Sequence, residues 1–286
     1  MTIRNPLEWG ADQLRFGGHA LRTGGQSVFH AEENPNTLAP AVHRIGLHDL
    51  REALAKGFED FGHYRTDVLY LCLIYPVVGL VLARAMVGQD MIPLLFPLAS
   101  GFALIGPFAA IGLYEMSRRR EMGQPSSWGA AFGVLRTPRF GVILTVGAIL
   151  AAIFVLWMFL ANVIYNNTLG PGEPASIGTF LSQVFGTAAG WTLIVVGCGV
   201  GLVFAVAAMA IGVVSFPLLL DRDVGADTAI WTSVRAVAAN PIPMAAWGVI
   251  VAAGLVLGSI PLFVGLIVVM PVLGHATWHL YRKLVN

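Results

Sequence analysis

Charge is what this sequence has least of. Only 12% of its 286 residues are Asp, Glu, Lys or Arg, about half of the roughly 25% usual in a soluble domain. Apolar residues make up 56%, and the mean hydropathy is +0.74. The charges that remain are clustered, leaving apolar runs of about 20 residues, enough to cross a bilayer core. A soluble enzyme is excluded. Charge of one sign is also lacking: 17 basic against 16 acidic residues give +1. Nucleic-acid binding through net charge is therefore excluded. Cysteine is scarce, with only Cys72 and Cys198, both inside apolar runs. They build no CxxC, zinc pattern or disulfide framework. Their expected depths differ by on the order of 10 Å, beyond the roughly 7 Å a disulfide allows, so both are expected to pack. No Walker loop, dinucleotide fingerprint, nucleophile elbow or HExxH appears.

What is present is a succession of hydrophobic segments. Residues 1–45 are polar and rich in Gly and Pro, and are expected to form a mobile arm. No apolar run there resembles a cleaved signal peptide. From 46 to 64, Leu47, Leu50, Leu54, Phe58 and Phe61 recur at three- and four-residue spacing, which predicts an amphipathic helix at the membrane surface. Residues 46–286 then read as one all-α membrane domain. Its six spans are expected near 68–87, 91–114, 140–163, 191–220, 243–259 and 262–281. The last two come from one continuous run, and Gly258-Ser259-Ile260-Pro261 marks the turn between them.

Basic residues fix the expected threading. The arm to Arg65 holds seven, the second connection five (Arg118, Arg119, Arg120, Arg136 and Arg139), the fourth two and the tail two. The first, third and fifth connections have none. By the positive-inside rule both termini are cytoplasmic. Arg84, near the outer end of the first span, can snorkel to headgroups.

Each odd span is preceded by a helical pattern on the cytoplasmic side. Trp128–Arg136 aligns without gaps on Asp227–Arg235, and these stretches stop at Thr137-Pro138 and Asn240-Pro241. Each even span carries a proline: Pro107, Pro217 and Pro271. Three repeats of surface helix plus membrane hairpin are expected.

Ile45-Gly46-Leu47-His48-Asp49-Leu50-Arg51-Glu52-Ala53-Leu54, then Leu73-Ile74-Tyr75-Pro76-Val77, Phe96-Pro97-Leu98, Gly106-Pro107-Phe108 and Leu113-Tyr114-Glu115-Met116-Ser117-Arg118-Arg119, resemble the bacterial membrane-protein family of unknown function number 2189. That resemblance implies a bacterial inner-membrane protein and supplies no activity or functional residues. Phe216-Pro217 through Arg235 more weakly resembles the membrane-anchor domain beside some glycerophosphodiester phosphodiesterases. The catalytic partner of that domain is absent, so its activity does not carry over.

Candidate chemistry is sparse. His275 and His279 stand i,i+4 on one helix face, a spacing that suits two metal ligands, yet no Cys or carboxylate neighbours them in sequence. The competing reading puts Trp278, His279 and Tyr281 in the interfacial aromatic belt, with His275 bonded to a neighbouring helix. Glu115 and Asp221 close the second and fourth spans. If the repeats share an axis, Tyr114, Glu115, Asp221, Arg222, His275 and His279 converge at the cytoplasmic face as a polar cluster; otherwise they are separate boundary charges. Arg118, Arg119 and Arg120 are expected to contact lipid headgroups.

No carboxylate lies near mid-membrane in any expected span, where ion-coupled transport places one. Glycine and alanine favour close helix packing instead. The expectation is a non-catalytic scaffold, assembly or envelope-homeostasis factor. It would bind membrane lipids and another membrane protein and need no cofactor or metal. The alternative is a transporter or channel for a small or lipid-like solute, flexing at the three prolines.

Overall fold

The computed structural model describes residues 40–64, 92–125, 133–134, 137, 139–171, 174, 176–261 and 264–285. The expected first span, with Cys72 and Arg84, and most of the expected surface helix before the third span lie outside the described residues. Described helices are α1 (Leu47–His63), α2 (Leu95–Ala109), α3 (Ile111–Glu121), α4 (Phe140–Thr168), α5 (Ile177–Gly186), α6 (Ala188–Asp221), α7 (Ala226–Ala239), α8 (Pro241–Ser259) and α9 (Leu266–Leu284). A 3-10 turn, Ile92–Leu94, leads into α2. Among the described residues there is no strand beyond one isolated bridge, Val42 with Val285. The all-α expectation holds.

Among the described residues, three helices are long and apolar enough to cross a membrane: α4, α6 and α8, of 29, 34 and 19 residues. They cover the expected third, fourth and fifth spans. The expected second span is not one helix. Pro107 lies inside α2, where its ring and missing N–H disturb the ladder, and the chain turns at Ala110 before resuming as the polar α3. The expected sixth span becomes α9, whose C-terminal half is largely buried within the protein, from Gly274 through Thr277 to Leu284. The turn expected at 258–261 is present: α8 ends at Ser259, and a Cβ on Gly265 would come within 2.8 Å of Gly258 Cα. α5 was not expected. Ser176 caps it by accepting from Thr179 N–H, and Thr187 caps α6 by accepting from Gly190 N–H, each supplying an acceptor to an otherwise unpaired first-turn donor.

α1 forms where the spacing placed it, but it is rotated. The apolar stripe leaves Leu47 and Phe58 each 58% exposed, while Leu50, Ala53, Gly57 and Asp60 are buried. Small residues decide this contact. α9 approaches so closely that a Cβ on Gly57 would lie 2.7 Å from Val272 O and from Ala276 Cβ. α7 repeats the pattern against α6, burying Ala226, Ala229, Ser233 and Ala236 at the same intervals. The residue closing each helix, Tyr64 or Asn240, is buried in turn.

Residues 42–45, expected as the end of a mobile arm, are tied down. His43 N–H donates to Leu284 O at 2.8 Å. Asn240, at the break between α7 and α8, accepts from Ile45 N–H and donates to His43 O and Ala236 O. Cys198 is exposed rather than packed inside.

Candidate functional site

The polar residues of α3 and α9 meet at one end of the bundle, and α1 closes over them. Asp60 is the residue the sequence reading missed. It sits on the polar side of an amphipathic pattern, where a solvated carboxylate is the ordinary expectation, yet it is buried. Ser117 Oγ and His279 Nε2 both donate to its Oδ2, the latter at 2.9 Å, and Arg120 donates to Oδ1. Burial alone would raise the Asp60 carboxyl; hydrogen bonds from His279 and Ser117 outweigh it and hold the group at about 2.

Ser117 has one hydroxyl hydrogen, and Asp60 takes it. The 2.8 Å contact between Ser117 Oγ and His275 Nδ1 must therefore use a hydrogen on the imidazole, which assigns the Nδ1–H tautomer to His275. Its Nε2 then points a lone pair into the core with no hydrogen-bond partner. The ring is fully buried and stacks beside Tyr64 at 6.1 Å. The chain of bonds runs His275 to Ser117 to Asp60, so the histidine does not contact the serine as a base with the carboxylate behind it. Serine is not activated as a nucleophile here.

The other expected members form a neighbouring network. Glu115, buried, accepts from Arg119 Nε at 2.7 Å and Arg118 at 3.3 Å. Arg118 also pairs with Asp221 at 3.7 Å. Asp221 accepts from Tyr281 OH at 2.8 Å and from Arg282 at 3.4 Å. Tyr114 is buried in the core. So the structure brings Glu115 and Asp221 together through Arg118, and brings His279 to a carboxylate, but that carboxylate is Asp60. Among the described residues the Arg222 side chain bonds to neither network; Arg139 reaches the adjacent Leu220 O at 3.0 Å.

Two expectations change with this geometry. Arg118, Arg119 and Arg120, expected at lipid headgroups, pair with Glu115, Asp221 and Asp60 while their side chains stay 24–36% exposed. Trp278 and Tyr281, expected in an aromatic belt, are buried and bond to Glu121 and Asp221. A metal at His275 and His279 would have to displace Ser117 and Arg120 from Asp60. The three donors do not form a ready ligand set. The grouped ligand atoms among the described residues are instead those of exposed His48 with Asp49 and Glu52, where Lys283 already pairs with both carboxylates.

No curated protein and no solved structure matches the chain. The weaker likeness to the phosphodiesterase anchor finds no support in these comparisons. A family model does match, and it falls on the segment from α2 to the end of α6. Residues 95–221 match the model of the family described as "Predicted integral membrane protein (DUF2189)", in keeping with the resemblance read from the sequence.

Proposed function

We propose that this integral membrane protein is a non-catalytic scaffold or assembly factor of the bacterial inner membrane, with both termini cytoplasmic. The observation that carries the reading is the fate of its polar groups. Asp60, Ser117, Arg118, Arg120, Asp221, His279 and Tyr281 bond or pair across α1, α3, α6 and α9, while Arg119 pairs with Glu115 within α3, and so they knit a platform. A transport pathway would present such groups to a water-filled route. The cleft that does open among α2, α4 and α6 is apolar.

Basic residues concentrated before α1 and at the end of α3 support the cytoplasmic placement of that platform. Exposed Leu47 and Phe58 suit α1 to the headgroup region. The matching burial register of α1 and α7, each set against a proline-bearing helix, supports the repeat of surface helix plus hairpin, and with it the six-span arrangement.

The test is purification of the full chain in mild detergent, with mass spectrometry of what comes with it, beside solute flux in proteoliposomes. A scaffold co-purifies a membrane protein in stoichiometric amount and leaves the liposomes tight. A partner-free particle that releases trapped solutes overturns the reading in favour of a transporter or channel.

A further inference from the structure

Between α2, α4 and α6 a cleft of about 190 Å³ opens on the outside of the bundle. Its walls include Phe96, Trp157, Gly197, Gly201, Leu202 and Ala205. We infer that this cleft holds one acyl chain of a bilayer lipid.

Depth is the first argument. Trp157 lies 17 residues from the start of α4, and Gly197 to Ala205 lie 9 to 17 residues from the start of α6. At 1.5 Å per residue these are roughly 14 to 26 Å along two membrane-crossing helices, within a hydrocarbon core about 30 Å thick. The lining residues Phe96 and Leu202, with Val203 beside Leu202 in the chain, are exposed, apolar surface of the kind that hydrocarbon covers at this depth.

Chemistry is the second. The two strong donors in the lining are already used: Trp157 Nε1 and Ser100 Oγ both donate to Pro97 O at 3.0 Å. Cys198 adds only a weak thiol donor. Among the described lining residues a polar solute would find no matching group, and water needs two to four polar partners to stay. The occupant is hydrocarbon.

Size is the third. A helix is about 10 Å across with its side chains and cannot enter a cleft of this volume, whereas a single unbranched chain can. Glycine makes the room. A Cβ on Gly197 would meet no atom within 4 Å, while Gly201 lies against the Trp157 ring, with 3.1 Å from its Cβ position to the ring edge. The indole forms the floor, wedged beside Phe204 at 5.8 Å between ring centres.

Trp157 therefore reports on the occupant. The full chain is reconstituted in nanodiscs of phosphatidylcholine, either plain or brominated at mid-chain, and its tryptophan emission is compared with that of Trp157→Phe. The difference spectrum belongs to the cleft. Bromine should quench it, and Gly197→Leu or Ala205→Leu, each filling the cleft with a side chain, should relieve that quenching while a Phe159→Trp reporter on the lipid face stays quenched. Absence of quenching in the unfilled protein overturns the inference and means that protein covers the cleft. Quenching that persists unchanged in both filled variants also overturns it, because the contact would then be general bilayer and not the cleft. Neither outcome depends on whether a partner protein co-purifies.

Discussion

Asp60 and His279 stand 219 positions apart in the chain and 2.9 Å apart in space. With Ser117 and Arg120 on the same carboxylate, this contact fastens α1 to the rest of the bundle. Removing one partner of a buried charge pair leaves the other uncompensated, at a cost of about 3 kcal/mol. Asp60→Asn should lower the melting temperature in detergent more than His279→Gln. The two together should cost clearly less than their sum, because they share one interaction. Asp221→Asn with His279→Gln should instead add within about 0.5 kcal/mol, since Asp221 bonds to Tyr281 and Arg282.

Acid should loosen the same contact. The Asp60 carboxyl is held at about 2 against an ordinary 3.8. A depressed carboxyl contributes fully above the unfolded value and loses its contribution as pH falls through the folded one. The loss therefore falls between pH 4 and pH 2 and amounts to roughly 2 kcal/mol. Asp49, kept low by the Gly46 N–H and by Lys283, adds an effect of the same sign. Hydrogen-exchange protection of α1 should fall across this window, and Asp60→Asn should flatten the fall, leaving the smaller part due to Asp49. Identical profiles for the two proteins would remove Asp60 from the account.

Two glycines in α1 make opposite predictions. At Gly57 an added methyl meets the backbone of α9, so Gly57→Ala must push the helices apart, at about 1–3 kcal/mol. At Gly62 the same methyl meets nothing within 4 Å, and alanine's better helix propensity should leave stability unchanged or raised by up to about 1 kcal/mol. Paired thermal melts compare them directly. Equal effects would mean that α1 does not dock through Gly57.

Orientation is tested at two exposed glutamines. In a variant without Cys72 and Cys198, cysteine replaces Gln124, after the arginines of α3, or Gln183, on α5. An impermeant thiol reagent added to intact cells should label the Gln183 position and spare the Gln124 position. The reverse pattern would invert the threading.

Long apolar runs with glycine or proline at their ends were legible in the sequence. α4, α6 and α8, the turn after Gly258 and the break at Asn240-Pro241 all follow from local composition. The face α1 buries was not legible, because Ala53 and Gly57 add little to a hydrophobic stripe and yet permit the closest approach. Asp60 escaped for a related reason: its partners Ser117 and His279 are distant in sequence, and nothing near it marks a buried carboxylate. The histidine pair at i,i+4 did point to the right helix face. α5 had a readable signal in Ser176, an N-cap three residues before Thr179, inside a stretch that otherwise looked like plain connection.

The docking of α1 on α9 also sets an order of events during synthesis. α1 leaves the ribosome before α2 to α8, and the residues that receive it, from Val272 to Lys283, are made only after them. At about 5–20 residues per second the interval is on the order of 10 to 45 s. Throughout it, α1 has a greasy face and an Asp60 that lacks His279, and no α9 to lie on. The nascent chain must park this helix on the bilayer surface or on a chaperone, and α1 is locked in place only when α9 arrives.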